Sequence, residues 1–198
     1  MKKTKFFLIS IIFCLAAISF QEISAANYDP QEIKQLVAFL NLQSSEADKT
    51  NAQALGIEAK VTETNVSEWA DKIVNKTEND KIVWIRISGL NRKIRFGGSF
   101  HIENFSQLKW ITLEYVLMGD EVKVTNCPEL GEFALSAPSL DDNEKDSYPT
   151  RRLEIANCPK LYELKVLTRI TEFVLNGCNG LERVQFNYTN FPTIDFSE

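Results

Sequence analysis

The sequence predicts a repeat solenoid, mostly β, with two parallel sheets and an N-terminal helical cap. Three observations predict it. From residue 82 onward, apolar residues recur as apolar-x-x-apolar-x-apolar. The pattern runs through Ile82/Ile85/Ile87, Leu108/Ile111/Leu113, Leu130/Phe133/Leu135, Leu161/Leu164/Val166, Ile170/Phe173/Leu175, Leu181/Val184/Phe186 and Phe191/Ile194/Phe196. The last two apolar positions of each unit alternate with outward ones, which is the period of a strand. Strand centres fall at 111, 122, 133, 153, 164, 173, 184 and 194, so that two steps make a repeat of about 20–22 residues. Finally, Asn-Cys-Pro followed by a charged residue and Leu occurs twice, as Asn126-Cys127-Pro128-Glu129-Leu130 and Asn157-Cys158-Pro159-Lys160-Leu161.

Residues 1–25 read as a secretory signal peptide. Lys2, Lys3 and Lys5 precede an apolar stretch from Phe6 to Phe20, and Ser24, Ala25 and Ala26 supply small residues for cleavage. The apolar stretch is shorter than the roughly 20 residues a permanent span needs. Cys14 follows Phe13 rather than a small residue, which argues against a lipid anchor. The full chain carries −5; removing Lys2, Lys3, Lys5 and Glu22 removes +2, leaving −7. A nucleic-acid partner normally leaves a basic footprint, so none is expected. No later apolar run is long enough to span a membrane. The expected location is secreted, periplasmic or at the cell surface.

Residues 26–80 form the cap region. Asp29, Pro30 and Glu32 make a helix start, and Ile33, Leu36, Val37 and Leu40 follow on one face. The segment at 44–56 predicts a weaker helix or turn that stops at Gly56. Asn65 and Glu68 suggest another capping box ahead of Trp69 and Ile73. The stretch 28–78 is therefore expected to be helical and irregular.

Residues 81–198 form the solenoid. A unit of about 21 residues cannot bury its apolar side alone, but stacked units bury a continuous core. One sheet takes the strands near 85, 111, 133, 164 and 184; the other takes those near 122, 153, 173 and 194. The segment 88–107 has no clear register. An insertion of roughly ten residues within 137–151 lengthens one repeat. On the second sheet, outward columns read Glu121, Arg152, Glu172, Thr193 and Lys123, Glu154, Val174, Asp195. Opposite charges fall on adjacent strands, which supports the register and reads as a solvated face. On the first sheet the columns read Trp84, Trp110, Glu132, Glu163, Arg183 and Arg86, Thr112, Ala134, Lys165, Gln185.

"LYELKV", "ITEFVLNGCNGLERVQF" and "FPTIDFS" resemble the short, cysteine-containing leucine-rich repeats of internalin-like bacterial envelope proteins. That family alternates L-x-x-L-x-V-x-x-C-x-x-L-x-x-L units. The matching positions here are Ile170, Phe173, Leu175, Cys178, Leu181 and Val184, and also Leu153, Ile155, Cys158, Leu161 and Leu164. The resemblance implies an exported leucine-rich-repeat solenoid that serves protein–protein interaction, with a host or within the envelope.

The chemistry-bearing residues do not assemble into a catalytic set. A cysteine nucleophile needs a base within hydrogen-bond reach, and the single histidine, His101, lies in the irregular stretch "GGSFHIENF". Three cysteines and a remote histidine lack zinc spacing, and "DDNEKD" lacks the glycine and closing glutamate of a calcium loop. No cofactor is expected. Cys127, Cys158 and Cys178 occupy one position in successive repeats, and they read as a buried structural thiol ladder in preference to a disulfide. "RFGGS" reads as a turn. The sequons at Asn65, Asn75 and Asn187 read as chance matches.

The expected contact face is therefore the first sheet, with Trp84, Arg86, Trp110, Thr112, Glu132, Glu163, Lys165 and Arg183. Exposed tryptophans favour binding sites because they supply area and a polar handle. The expected function is an exported, non-catalytic interaction module with a protein partner. The alternative is a glycan-binding protein that stacks sugars on the tryptophan pair. The unpaired C-terminal edge also admits a homodimer.

Overall fold

In the computed structural model, residues 28–46, 48–89, 94–138 and 150–187 are described. The segment expected to be a signal peptide, most of the insertion and the strand expected near 194 lie outside them. The described chain is a mostly-β parallel solenoid of about four turns behind a short N-terminal helix.

Two helices begin the chain, α1 (Pro30–Leu40) and α2 (Asn51–Ala54), followed by 3₁₀ turns at Val66–Glu68 and Ala70–Lys72. The strands are β1 (Val74–Glu78), β2 (Lys81–Ser88), β3 (Ile94–Arg95), β4 (Ser99–Glu103), β5 (Trp110–Glu114) and β6 (Val116–Leu117). They continue with β7 (Glu121–Thr125), β8 (Glu132–Ser136), β9 (Thr150–Ala156), β10 (Glu163–Leu167), β11 (Ile170–Asn176) and β12 (Arg183–Phe186). The first sheet has the order β1-β2-β5-β8-β10-β12, and the second β11-β9-β7-β4. A third side of the coil is the short pair β3-β6.

The registers follow the columns expected from sequence. Trp84 lies opposite Trp110, Trp110 opposite Glu132, Glu132 opposite Glu163, and Glu163 opposite Arg183. On the second sheet Glu121 and Glu172 flank Arg152, and Lys123 faces Glu154. The row Ile85, Ile111, Phe133 and Leu164 points inward and is buried throughout.

Four expectations need correction. The stretch 28–78 does not stay helical: its last five residues are β1, antiparallel to β2, with two register irregularities. The segment after Asn65 forms 3₁₀ turns, and Asn65 makes no backbone cap; its side chain bonds Thr62, Lys60 and Glu68 instead. The stretch "SFHIE" is not loop but β4, paired residue for residue with β7. His101 thus stands on a strand, exposed, 2.7 Å from Glu121. At the same time two parallel sheets become three sheets, because the chain turns twice in each early repeat.

The repeated Asn-Cys-Pro motif is a corner. Asn104, Asn126, Asn157 and Gly177 all adopt the left-handed backbone, with φ of 62°, 55°, 55° and 61°. Asparagine and glycine tolerate this region better than other residues. The Asn157 amide donates to Asn126 Oδ1 at 2.9 Å, stitching neighbouring turns. At Gly177 a Cβ would stand 2.9 Å from Asn157 Oδ1, so glycine is required there by space as well as by φ. The next residue in each turn points inward: Phe105, Cys127, Cys158 and Cys178, all buried. Each thiol donates to a carbonyl two residues back, at 3.3 Å (Cys127), 3.4 Å (Cys158) and 3.4 Å (Cys178). The three are free cysteines. The neighbouring Cys127 thiol, with burial adding to it and Cys178 opposing, pushes Cys158 up to about 12. The Cys158 thiol, and then burial, push Cys178 upward as well. With little thiolate available at neutral pH, native-state labelling with a maleimide is expected to be far slower than after unfolding. Labelling of the native chain as fast as of the unfolded chain contradicts this placement.

The N-terminal cap closes the first turn with side chains. The Gln35 amide acts as a strand partner for Glu103 at the edge of β4: Nε2 donates to the carbonyl at 2.9 Å, and Oε1 accepts its N–H at 2.7 Å. Buried Asn51 does the same for Gly97, accepting its N–H at 3.0 Å and donating to its carbonyl at 3.1 Å, and also donates to Phe39 O at 2.9 Å. Ser44 Oγ donates to Arg95 O at 2.6 Å and Ser45 Oγ to Phe96 O at 2.9 Å. Phe39 of α1 packs edge-on against Phe96 and Phe100, with centroids 5.2 and 4.9 Å away. An open edge is a template for mispairing; here it is both covered and bonded.

Glu32 extends this cap to β2. Only 2% exposed, it accepts the Ile82 N–H at 2.7 Å through Oε2, while Oε1 has no hydrogen-bond partner. Burial pushes its carboxyl above the usual range; Asp29 adds to this, and the Ile82 N–H and Lys81 oppose it. The folded chain therefore holds this proton to higher pH than the unfolded chain. Its stabilising contribution is complete below the ordinary carboxylate pKa and is lost as pH rises through the raised value. Glu32→Gln is expected to be more stable than the parent chain above that window, with the difference shrinking on acidification. Urea unfolding at a series of pH values checks this, and a difference that does not change with pH contradicts it.

Candidate interaction face

The outward side of the first sheet carries the residues singled out from sequence, and the register brings all eight together in two neighbouring columns. Trp84 and Trp110 stand on adjacent strands, half-buried, with ring centroids 6.1 Å apart and planes inclined at 60°. Trp84 Nε1 donates to Thr112 Oγ1 at 3.2 Å, which ties the pair to the second column.

Around the rings the charges are ordered in pairs. Arg86 donates to Glu114 at 3.1 Å. Glu78, beyond the tryptophans on β1, takes Lys76 and Lys109. Glu163 takes Lys165 at 2.9 Å and Arg183 at 3.2 Å, and these cations hold its carboxyl below the usual range, Lys165 most strongly. Glu132 differs. It accepts the Tyr162 hydroxyl, and among the described residues no cation stands within ion-pair distance of it. The carboxylate in turn pushes the Tyr162 phenol upward, with burial adding to the effect. Thr112 and Ala134 keep the second column low between Arg86 and Lys165.

Tyr162 was not among the residues singled out from sequence. It precedes β10 and falls outside the alternating columns. A sequence signal existed: aligned repeats place it level with Gly131, and a Cβ on Gly131 would meet Tyr162 Cε1 at 2.8 Å. The large ring and the absent side chain are complementary across one rung.

The second sheet has a different surface. Arg152 bonds Glu121 at 3.2 Å, Glu154 at 2.9 Å and also Glu172; Lys123 reaches Glu154 at 3.2 Å. Hydrogen bonding to the Glu154 carboxylate raises the Arg152 guanidinium further, against a cost from burial. Burial raises Glu154, but bonds from Arg152 and Lys123 outweigh it and leave the carboxyl lowered. These charges satisfy one another across the strands and leave no aromatic surface between them.

Among the described residues no group of three or more His, Cys, Asp or Glu side chains is placed to hold a metal ion, and no helix is long and apolar enough to cross a membrane. The described geometry defines a class, a capped parallel β-solenoid with one aromatic and one ion-paired face. Comparison with known protein families, curated proteins and solved structures finds no match.

Proposed function

We propose that this chain is an exported, non-catalytic module of the leucine-rich-repeat kind that binds another protein through the outward face of its first sheet. The observation that carries the reading is the Trp84–Trp110 pair, two half-buried indoles on adjacent strands beside a row of charged residues. Preformed aromatic surface with a polar rim is the composition of binding hot spots. The leucine-rich-repeat assignment rests on the Asn-Cys corners and on Leu108, Leu130, Leu161 and Leu181, which recur four residues after each corner asparagine or glycine. Export rests on the composition of residues 1–25.

A protein partner is favoured over a glycan by the rings themselves. Planes inclined at 60° do not form one flat platform for consecutive sugars, and the Trp84 N–H is already engaged by Thr112. Trp84→Ala and Trp110→Ala, made singly and together, are expected to leave the far-ultraviolet circular dichroism unchanged. Each single change is expected to weaken partner binding about tenfold or more, a typical hot-spot loss. Folded variants that bind the partner as tightly as the parent chain contradict the assignment of this face.

A further inference from the structure

The first sheet already holds one guanidinium between an aromatic ring and a carboxylate. Arg183 Cζ lies 5.5 Å from the Tyr162 ring centroid, and the same guanidinium bonds Glu163 at 3.2 Å. A ring supplies the quadrupole and a carboxylate the charge, and together they fix a planar cation. Two strands away the same two ingredients recur with no cation between them among the described residues. Trp110 stands directly opposite Glu132, both half-buried. Glu132 is held by the neutral Tyr162 hydroxyl rather than by a lysine or arginine.

The neighbouring cations do not fill this place. Lys109 is drawn to Glu78 at 3.4 Å, Arg86 to Glu114 at 3.1 Å, and Lys165 to Glu163 at 2.9 Å. Thr112 and Ala134, both half-buried, are the small neighbours of the Trp110–Glu132 pair in the second column. The chain as a whole carries −5, which favours approach of a cationic segment.

We propose that Trp110 and Glu132 form a receptor site for an arginine side chain presented by the partner protein, the guanidinium lying on the indole and donating to the carboxylate. This inference rests on the protein-binding reading of the same face. It identifies the partner chemistry as a basic, arginine-bearing segment, and it makes Trp84 and Thr112 the flank of the site.

The test uses the mature chain and an acetylated, amidated tetra-arginine peptide, with tetra-glutamate as the reference. Calorimetric titration is expected to show saturable binding of tetra-arginine that weakens with added salt, and none of tetra-glutamate. Glu132→Gln retains an acceptor for Tyr162 and is expected to weaken binding about tenfold or more, the loss of one charge-assisted pair. Glu172→Gln removes the same charge from the second sheet and is expected to leave binding unchanged, which separates a site from general attraction to an acidic protein. In the parent chain, the indole N–H resonance of Trp110 is expected to shift on peptide addition while that of buried Trp69 stays fixed. Equal weakening by the two glutamine variants, or an unmoved Trp110 resonance, overturns the site. If tetra-arginine fails while a partner is still lost on Trp84→Ala and Trp110→Ala, the arginine inference falls and the protein-binding reading stands.

Discussion

Asn51→Ala is expected to cost roughly 2–4 kcal/mol of folding stability, because it removes the partner of three backbone groups at once, Phe39 O in a buried bond and both polar groups of Gly97 in part-buried ones, where a stranded buried group costs about 1–3 kcal/mol and a part-buried one less. The side chain is fully buried and bonds Gly97 N–H, Gly97 O and Phe39 O. The loss would detach the cap from the first turn and open the edge that the cap covers. Set against a typical domain stability of about 5–15 kcal/mol, it is a large fraction of the whole. Equilibrium unfolding in urea measures it. A change below about 1 kcal/mol would mean that the cap is held by its aromatic packing, with Asn51 incidental.

Phe133→Ala is expected to cost a similar amount, about 3–5 kcal/mol, through lost burial and the cavity it leaves. Phe133 is inward, 1% exposed, and lies between Ile111 and Leu164 on the flanking strands. Val184 occupies the equivalent position at the C-terminal end of the row, and it is 45% exposed. Val184→Ala is therefore expected to cost under about 1 kcal/mol, in line with its partial burial. The contrast between two positions of one column tests the solenoid directly, because each turn there is stabilised by its neighbours. Equal costs at the two positions would contradict it.

Much of this architecture was legible in the sequence, and the reason is periodicity. Strand alternation fixed which residues point outward, and the recurrence of the apolar triplet fixed the register. The pairing of Glu121, Arg152 and Glu172 falls on adjacent strands because the repeat spacing places it there. The missed strand β4 carried the same signal in disguise. Phe100 and Ile102 precede Val122 and Val124 by one repeat, and Asn104 precedes Asn126. Phe105 in place of cysteine hid the match. The cap was less legible. Gln35 to Glu103, Asn51 to Gly97 and Glu32 to Ile82 are contacts across 68, 46 and 50 residues, and no local pattern announces them. β1 escaped notice for a related reason: it is short, its residues after Val74 are polar, and its partner is β2.

The candidate face shows the same division. Its columns follow from register, so the eight residues come together as expected. The ion pairing within them does not follow from register, since side chains choose among several neighbours. That Glu132 has no cation beside it among the described residues is visible only in three dimensions.

The cysteines that the repeat displays so prominently take no part in that face. They occupy the corner position filled by Phe105 in the first turn, and a buried thiol there is a small apolar side chain.

Site-specific photo-crosslinking tests the central claim, that the first sheet is the contact face, most directly. A benzophenone side chain installed at Ala134 reports on the first sheet, and one at Val174 reports on the second. With the partner present, the account predicts one defined protein adduct from position 134, lost in the Trp84→Ala/Trp110→Ala chain, and none from position 174. An adduct from position 174 without one from 134, or an adduct at 134 indifferent to loss of both tryptophans, would contradict it.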